Sequence, residues 1–343
     1  MSVVSQLVSH QKAIVLHGVL KPLAMEEVLI PKIGADEALV RIKAAAFNRR
    51  DWWIQQGKYA GLTFPIVLGS DGAGVVEQVG STNHVGWVGR EVVINPSLAW
   101  GYDEAFQGKS FRILGLPDDG TFAEFVRVPV INLYEKPKHL SFEEAAALPL
   151  GGLTAYRALF SRAMLKPGDK VLVVGAGGGV ATFALQWALL AGATVYVTSS
   201  SPTKVEQSMA LGAAGGVLYT DGDWAQQLQE QAGGFDIIVD SALGDGMVHY
   251  PDLAKPGGRI VFFGGTAGDI PALNARKLFW KQLALLGTTM GSPTDFDAML
   301  AFVNQHRVAP VIHSTYPLEE AEAALRHMDH STQFGKIVLT VSQ

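Results

Sequence analysis

Residues 170–190 read KVLVVGAGGGVATFALQWALL. A short β-branched run, VLVV, meets a glycine turn, Gly175-Ala-Gly-Gly-Gly-Val-Ala181, and then a helix-forming stretch to Leu190 that is apolar nearly all round. Small residues at such a turn let the backbone bend tightly and let a pyrophosphate approach the N–H groups at the helix start. The turn ends in Ala181, not Gly, and no Gly-Lys-Ser/Thr follows, which excludes a nucleoside-triphosphate loop. The residue that grips the adenosine ribose belongs about 20 residues further on, at the end of the second strand. That end reads Thr198-Ser-Ser-Ser201-Pro-Thr-Lys204, and no Asp or Glu occurs between Lys170 and Val205. A carboxylate there would bond a free 2′-hydroxyl and repel a 2′-phosphate. Ser199, Ser200 and Lys204 do the opposite, so the pattern predicts NADP(H). An ordinary serine-rich turn with a solvated lysine is the alternative.

The segment from Val171 to Thr203 carries no charge and is long enough to cross a bilayer, which takes ~20 residues. Its crowded glycines and unlike halves fit a buried strand, a turn and a buried helix better, because parallel sheets hide their strands on both faces. No membrane span is expected.

Outward from this point, strands and helices alternate. KPGDK (166–170) is a turn into the first strand. After the helix at 179–191 come ATVYVTS (193–199), a helix at 203–211, GGVLYT (215–220), a helix at 223–231 and FDIIVD (235–240). A helix near 245–254, the turn KPGGR feeding IVFFGG (260–265), a helix near 273–280 and LALLGTT (283–289) complete six strands. That alternation predicts an α/β doubly wound parallel sheet. The chain before about residue 135 reads differently. KAIVLHG (12–18), EALVRIKAAA (37–46), GAGVVEQVG (72–80), REVVINP (90–96) and FAEFVRVPV (122–130) are half-buried strands, with a short helix after Asn48 and a loop of little periodicity over 96–120. Ser141-Phe-Glu-Glu144 forms a capping box, Ser292-Pro293 opens another helix, Pro317-Leu-Glu-Glu a third, and GKIVLTV (335–341) is a final strand.

Composition narrows the function. Apolar residues make up 48% and charged residues 17% of the 343, enough for about two domains with full cores. Net charge is -5 and the charges are interspersed, so no basic stripe for nucleic acid exists. Cysteine is absent, which removes thiol nucleophiles, iron–sulfur clusters and every cysteine-ligated zinc site. No targeting segment is visible, and a cytoplasmic location is the expectation. His327-Met-Asp-His330 is the one dense group of candidate metal ligands, and it reads as a polar turn at a helix end.

The chain resembles the medium-chain dehydrogenase/reductases, specifically the zinc-free branch that looks like quinone oxidoreductases. The resemblance covers 12–341 and rests on AAAFNRRDWWIQQGKY (44–59), PIVLGSDGAGVVEQVG (65–80), DGTFAEFVRVP (119–129), AALPLGGLTAYRAL (146–159), the glycine turn and FGKIVL (334–339). It implies a GroES-like β-rich catalytic domain from residues 1–152 and 290–343, a Rossmann domain over 153–289, and an active site in the cleft between them. Zinc-bearing members have a Cys-x-x-Asp segment where this chain has Asn48 to Asp51, and Gly-His-Glu where it has Gly69-Ser70-Asp71. Their later cysteine falls near Gly151, and the cysteine-free loop over 96–120 stands where they carry a four-cysteine lobe. No metal is therefore expected.

In that branch the equivalents of Asn48 and Tyr59 face nicotinamide and substrate. From their chemistry, Asn48 can bond a carbonyl, Tyr59 can donate a proton, and Arg50 can polarise a carbonyl; a helix-start Asn, a packed Tyr and a surface Arg are the alternatives. With Asp51 these form the predicted catalytic set, while Trp52 and Trp53 line a pocket or pack in the core. The predicted nucleotide contacts are Thr154, Gly175, Ala176, Gly177, Gly178, Gly179, Val180, Ser199, Ser200, Lys204, Tyr219, Ser241, Gly264, Gly265 and Lys336. The resemblance places Tyr219 against the adenosine phosphate and Lys336 near the cofactor phosphates. The function expected is NADPH-dependent reduction of a quinone or α,β-unsaturated carbonyl by a homodimer. An alcohol dehydrogenase with metal held by non-cysteine ligands, or a non-enzymatic NADP(H)-binding protein, are the alternatives.

Overall fold

The alternating segments after residue 170 build one parallel six-stranded sheet in the computed structural model, which describes residues 9–341. Lys170–Val173 is central, flanked on one side by Thr194–Ser199 and then Gly215–Leu218. Phe235–Asp240, Ala254–Phe262 and Ala284–Gly287 follow on the other side, and every pairing is parallel. This is the doubly wound order, in which the chain returns to the middle of the sheet after its third strand. The uncharged stretch after Lys170 resolves into a buried strand, a turn and the helix Gly179–Leu190 of 12 residues. Among the described residues no helix is long and apolar enough to cross a membrane.

The β-rich part has the strand Glu37–Ala46 at its centre, with Asp71–Val79 on one side and Lys336–Thr340 on the other. Phe125–Pro129 also pairs with Glu37–Ala46, and a separate three-stranded sheet joins Ala24–Leu29, His10–Leu16 and Ile66–Val67. A core of Val40, Ile42, Leu68, Phe122 and Leu339 lies within it. The α/β class and the pairing of a GroES-like domain with a Rossmann sheet are both realised. The strand Ala24–Leu29 was not foreseen. Its residues alternate between half-buried and exposed, but each face mixes two apolar residues with a glutamate, so neither carries a clear apolar signal. The 96–120 loop holds a minimal ladder, Ser97–Leu98 against Arg112–Ile113. The turn KPGGR is absorbed into the strand Ala254–Phe262.

Two compact units result: the chain up to Leu150 together with Arg307 onward, and Gly151–His306. The sequence reading drew its boundaries at 152 and 290, which puts the helix Pro293–His306 with the first unit. That helix belongs to the second. Ser292 caps it, accepting the Asp295 N–H at 3.1 Å, and the buried Asp295 carboxylate takes hydrogen bonds from Arg157 and Ser161.

Candidate active site

Asn48 leaves the end of the central strand, and its two neighbouring strands bring a residue to each side of it. Ala46 pairs with Asp71 in one neighbour and with Val338 in the other, so Lys336 arrives beside Asn48. The Lys336 Nζ donates to Asn48 Oδ1 at 2.7 Å and to Asp71 Oδ2 at 2.9 Å, and Asn48 Nδ2 donates to Asp71 Oδ2 at 2.8 Å. The second Asp71 oxygen accepts the Leu150 N–H at 2.8 Å. Lys336 and Asp71 are 3% and 0% exposed, which makes this a desolvated ion pair with its remaining lone pairs used. An Asn at a helix N-cap normally spends its side-chain oxygen on a helix N–H. Asn48 is the N-cap of the helix Arg49–Gln55, in a capping box with Asp51, and its oxygen also takes the ammonium.

Arg50, on the first turn of that helix, donates from Nη1 to Ser70 Oγ at 2.6 Å and to the Leu114 carbonyl at 2.8 Å. Its guanidinium lies 5.1 Å from the Tyr59 ring centre, with Nε 3.4 Å from the phenolic oxygen. Asn48, Arg50, Asp51 and Tyr59 are thus linked through neighbouring contacts. Lys336, expected at the cofactor phosphates, stands with them. Asp71, Ser70 and the Leu150 N–H were missed as functional groups. For Ser70 and Asp71 the signal was present as the altered Gly-His-Glu segment, and for the Leu150 N–H there was none. Trp52 packs partly against the core and Trp53 meets it edge-on at 4.5 Å.

Asp51 is fully buried, and its Oδ2 accepts the Asn48 backbone N–H at 2.8 Å while Oδ1 has no partner. It holds Asn48 in place and cannot itself reach a ligand. Burial pushes its carboxyl up to about 6 from 3.8, with the Arg50 guanidinium and the Asn48 N–H pulling the other way. Between those two values the folded protein binds a proton that the unfolded chain releases, so this group lowers stability as pH rises through the window. Asp51→Asn, which keeps an acceptor for Asn48, is expected to remove that loss and to be more stable than wild type at pH 7 by roughly 2–3 kcal/mol, at about 1.4 kcal/mol per pH unit. Urea midpoints at pH 4 and pH 7 measure it. A variant no more stable at pH 7 would mean that the buried charge is accommodated.

The second unit carries the glycine turn. Gly175 and Gly177 have φ of +75° and +100°, and a Cβ on Gly177 would come within 2.6 Å of the Lys204 side chain. Side-chain-free backbone is needed here because the Lys204 stem crosses the turn. The turn is pinned to the second strand, with the Ala176 N–H donating to the Thr198 carbonyl at 2.7 Å. Gly178 caps the helix Gly179–Leu190, whose first-turn N–H groups have no intrahelical acceptor. Ser199 is buried and its Oγ accepts the Ser201 N–H at 3.2 Å, whereas Ser200 is exposed. Burial of about half of Lys204 lowers the pKa of its ammonium. Tyr219 is exposed and Thr154 is buried. A Cβ on Gly264 would strike the Ser241 carbonyl at 2.6 Å, so these predicted contacts are packed on each other. The open turn, the helix start and Lys204 fit a dinucleotide.

The residues at Asn48, Ser70 and Asp71 do not fit a zinc ion. None is a thiolate or an imidazole, and their oxygens already face the Lys336 ammonium and the Arg50 guanidinium. Among the described residues no group of three or more His, Cys, Asp or Glu side chains is placed to hold a metal.

Residues 34–138 match the alcohol dehydrogenase GroES-like domain family, and 179–305 match the zinc-binding dehydrogenase family. The zinc-type alcohol dehydrogenase-like protein YogA of Leptosphaeria maculans is 33% identical over 93% of this chain and 95% of its own. A crystal structure of an NAD-dependent alcohol dehydrogenase superposes with a TM-score of 0.88 at 37% identity, covering 96% of this chain and 100% of that one. A crotonyl-CoA carboxylase/reductase in complex with NADP gives a TM-score of 0.87 at 25% identity, covering 97% and 95%.

Proposed function

The chain belongs to the medium-chain dehydrogenase/reductase superfamily, and from that premise we propose that it is an NADPH-dependent reductase of a quinone or α,β-unsaturated carbonyl, acting without a metal. The observation that carries this reading is the donor set around Asn48. An amide held by Lys336 and Asp71, a guanidinium and a phenol supply hydrogen bonds to a carbonyl oxygen. They offer nothing that lowers the pKa of an alcohol as a metal does. A nicotinamide nucleotide, when bound, supplies the two-electron chemistry that the side chains lack. The glycine turn at 175–180, Ser200 and Lys204 would hold it, with the 2′-phosphate facing the lysine. Asn48 then orients the acceptor, and Tyr59 is the proton donor.

A second reading, alcohol dehydrogenation, draws support from the names of the relatives. One experiment separates the two. Purified protein, with its metal content determined, is mixed with NADPH or NADH and a panel of quinones, enals and aldehydes, with and without a chelator. Chelator-insensitive oxidation of NADPH by an enal or quinone is expected. One zinc per chain with chelator-sensitive alcohol oxidation would overturn the proposal, and tight nucleotide binding without any turnover would point to a non-enzymatic role. Light scattering on the same preparation tests the homodimer. Support for that assembly comes from the last strand of the parallel sheet, Ala284–Gly287, which pairs on one side only and lies next to Trp280, 83% exposed.

A further inference from the structure

Lys336 and Arg50 are both buried cations of the first unit, and they are spent differently. The Lys336 ammonium is neutralised by Asp71. Arg50 is 7% exposed and forms no ion pair among the described residues. Its acceptors, Ser70 Oγ, the Leu114 carbonyl and, at 3.4 Å, the Tyr59 hydroxyl, are all neutral. The neighbouring Asp51 turns its Oδ2 to the Asn48 N–H and does not cap the guanidinium. Nη2 of Arg50 makes no hydrogen bond, yet it is not among the polar atoms sealed from solvent.

A guanidinium withdrawn from water with no carboxylate in contact, and Asp51 acting on it only through space, is held at a cost that an incoming anion relieves. Ser70 and Leu114 fix the fork at Nη1, so the free N–H groups are aimed before any ligand arrives. Donors preset in this way act most strongly on charge that develops late. We infer that Arg50 is the anion-binding residue of the acceptor site, receiving the oxygen that carries negative charge in a conjugated acceptor. This rests on the reductase reading given above. In the two-electron reduction of an enone by the reduced nicotinamide nucleotide, a hydrogen and an electron pair add at the β-carbon. The C=C π bond breaks, and the displaced pair comes to rest on the carbonyl oxygen. A proton then adds at the α-carbon and restores C=O. Arg50 acts between these events, on the oxygen, and neither gives nor takes a proton. A conjugated carboxylate presents the same anionic oxygen permanently and so serves as the probe.

The test is calorimetric titration of the nucleotide-free protein, and of its complex with oxidised NADP, with 2-butenoate and with the neutral 2-butenamide. Wild type is expected to bind the carboxylate about tenfold or more tightly than the amide, on the scale of one charge-assisted hydrogen bond. Arg50→Gln should abolish that difference, and Arg50→Lys should keep part of it. Ser70→Ala, which retains the charge but frees Nη1, should shrink the difference and guards against a misfolded Arg50 variant. With a neutral enone Arg50→Gln should lower kcat with little change in KM. Equal binding of carboxylate and amide by wild type in both states would overturn the inference, as would a preference that survives in Arg50→Gln. If no enone or quinone is reduced while the anion preference holds, the reductase reading fails and the anion site stands. A residue that merely braced the Leu114 loop would not distinguish the two probes.

Discussion

Asn48→Ala is expected to lower kcat/KM for the acceptor by about 10²–10⁴, the range of a positioned hydrogen-bonding or proton-transferring group, with NADPH affinity close to wild type. The size of the effect follows from how the amide is held. Lys336 can only donate, so Oδ1 must face it, and one Nδ2 hydrogen is committed to Asp71. The amide cannot flip. Its remaining N–H is the donor it can offer a ligand. The Lys336–Asp71 contact is made without the amide and should stay intact in the variant. Tyr59→Phe should lower the rate in the same way by removing the phenolic hydroxyl beside Arg50. Steady-state kinetics with the best acceptor from the screen, alongside nucleotide titration, decide the matter. Unchanged rates in both variants would return these two residues to a packing role.

A preference for NADPH over NADH of roughly ten- to a hundredfold is expected of the wild type. One charge-assisted hydrogen bond is worth ~1.5–3 kcal/mol, less where solvent screens it. Lys204 is well placed to provide it. Its stem lies across Gly177, and partial burial limits the screening of its charge. The helix Pro202–Ala210 adds the positive end of its dipole. Of the nearby serines, Ser199 is buried and accepts the Ser201 N–H, whereas Ser200 is exposed at the mouth of the turn and can donate to the phosphate, as can Ser201. The double variant Ser200→Asp with Lys204→Ala should narrow or reverse the preference, since a carboxylate can serve the free ribose hydroxyl. Measured kcat/KM values for both nucleotides test this. Equal use of NADH by wild type would show that the serine-rich turn reads nothing.

The parallel sheet was legible because most of its strands are short runs with β-branched residues bounded by Gly or Pro, Ala284–Gly287 being an exception, and the glycine turn marks a sharp crossover. Ser141 and Ser292 announced their helices through local capping chemistry that needs only four residues. Segments whose structure depends on distant partners were not legible. Ala24–Leu29 is a strand because His10–Leu16 lies beside it, and its own pattern is weak. The domain boundary shifted for a similar reason: Asp295 is claimed by Arg157, far back in the chain. The same holds for the site. Asn48 to Tyr59 could be proposed from one stretch, but the partners that set the Asn48 amide are 23 and 288 positions away. Lys336 sits in a short strand signature that says nothing about which way its ammonium turns.

That remoteness has a bearing on how the chain assembles. The strand carrying Lys336 closes onto Asp71 across a separation of 265 positions, and Gly151–His306 lies between them as a compact body. An intervening segment that has already collapsed spans the gap with far less lost freedom than an open chain of that length. The order of events implied is the inserted body first, then zipping of the late strand into the waiting sheet. Until that last step, Asp71 is a carboxylate without its cation and the Asn48 amide is free to turn. Setting of the Asn48 amide is therefore coupled to the pairing of Lys336–Thr340 with Glu37–Ala46, and a fault in that pairing would leave the amide and Asp71 without the ammonium that fixes them.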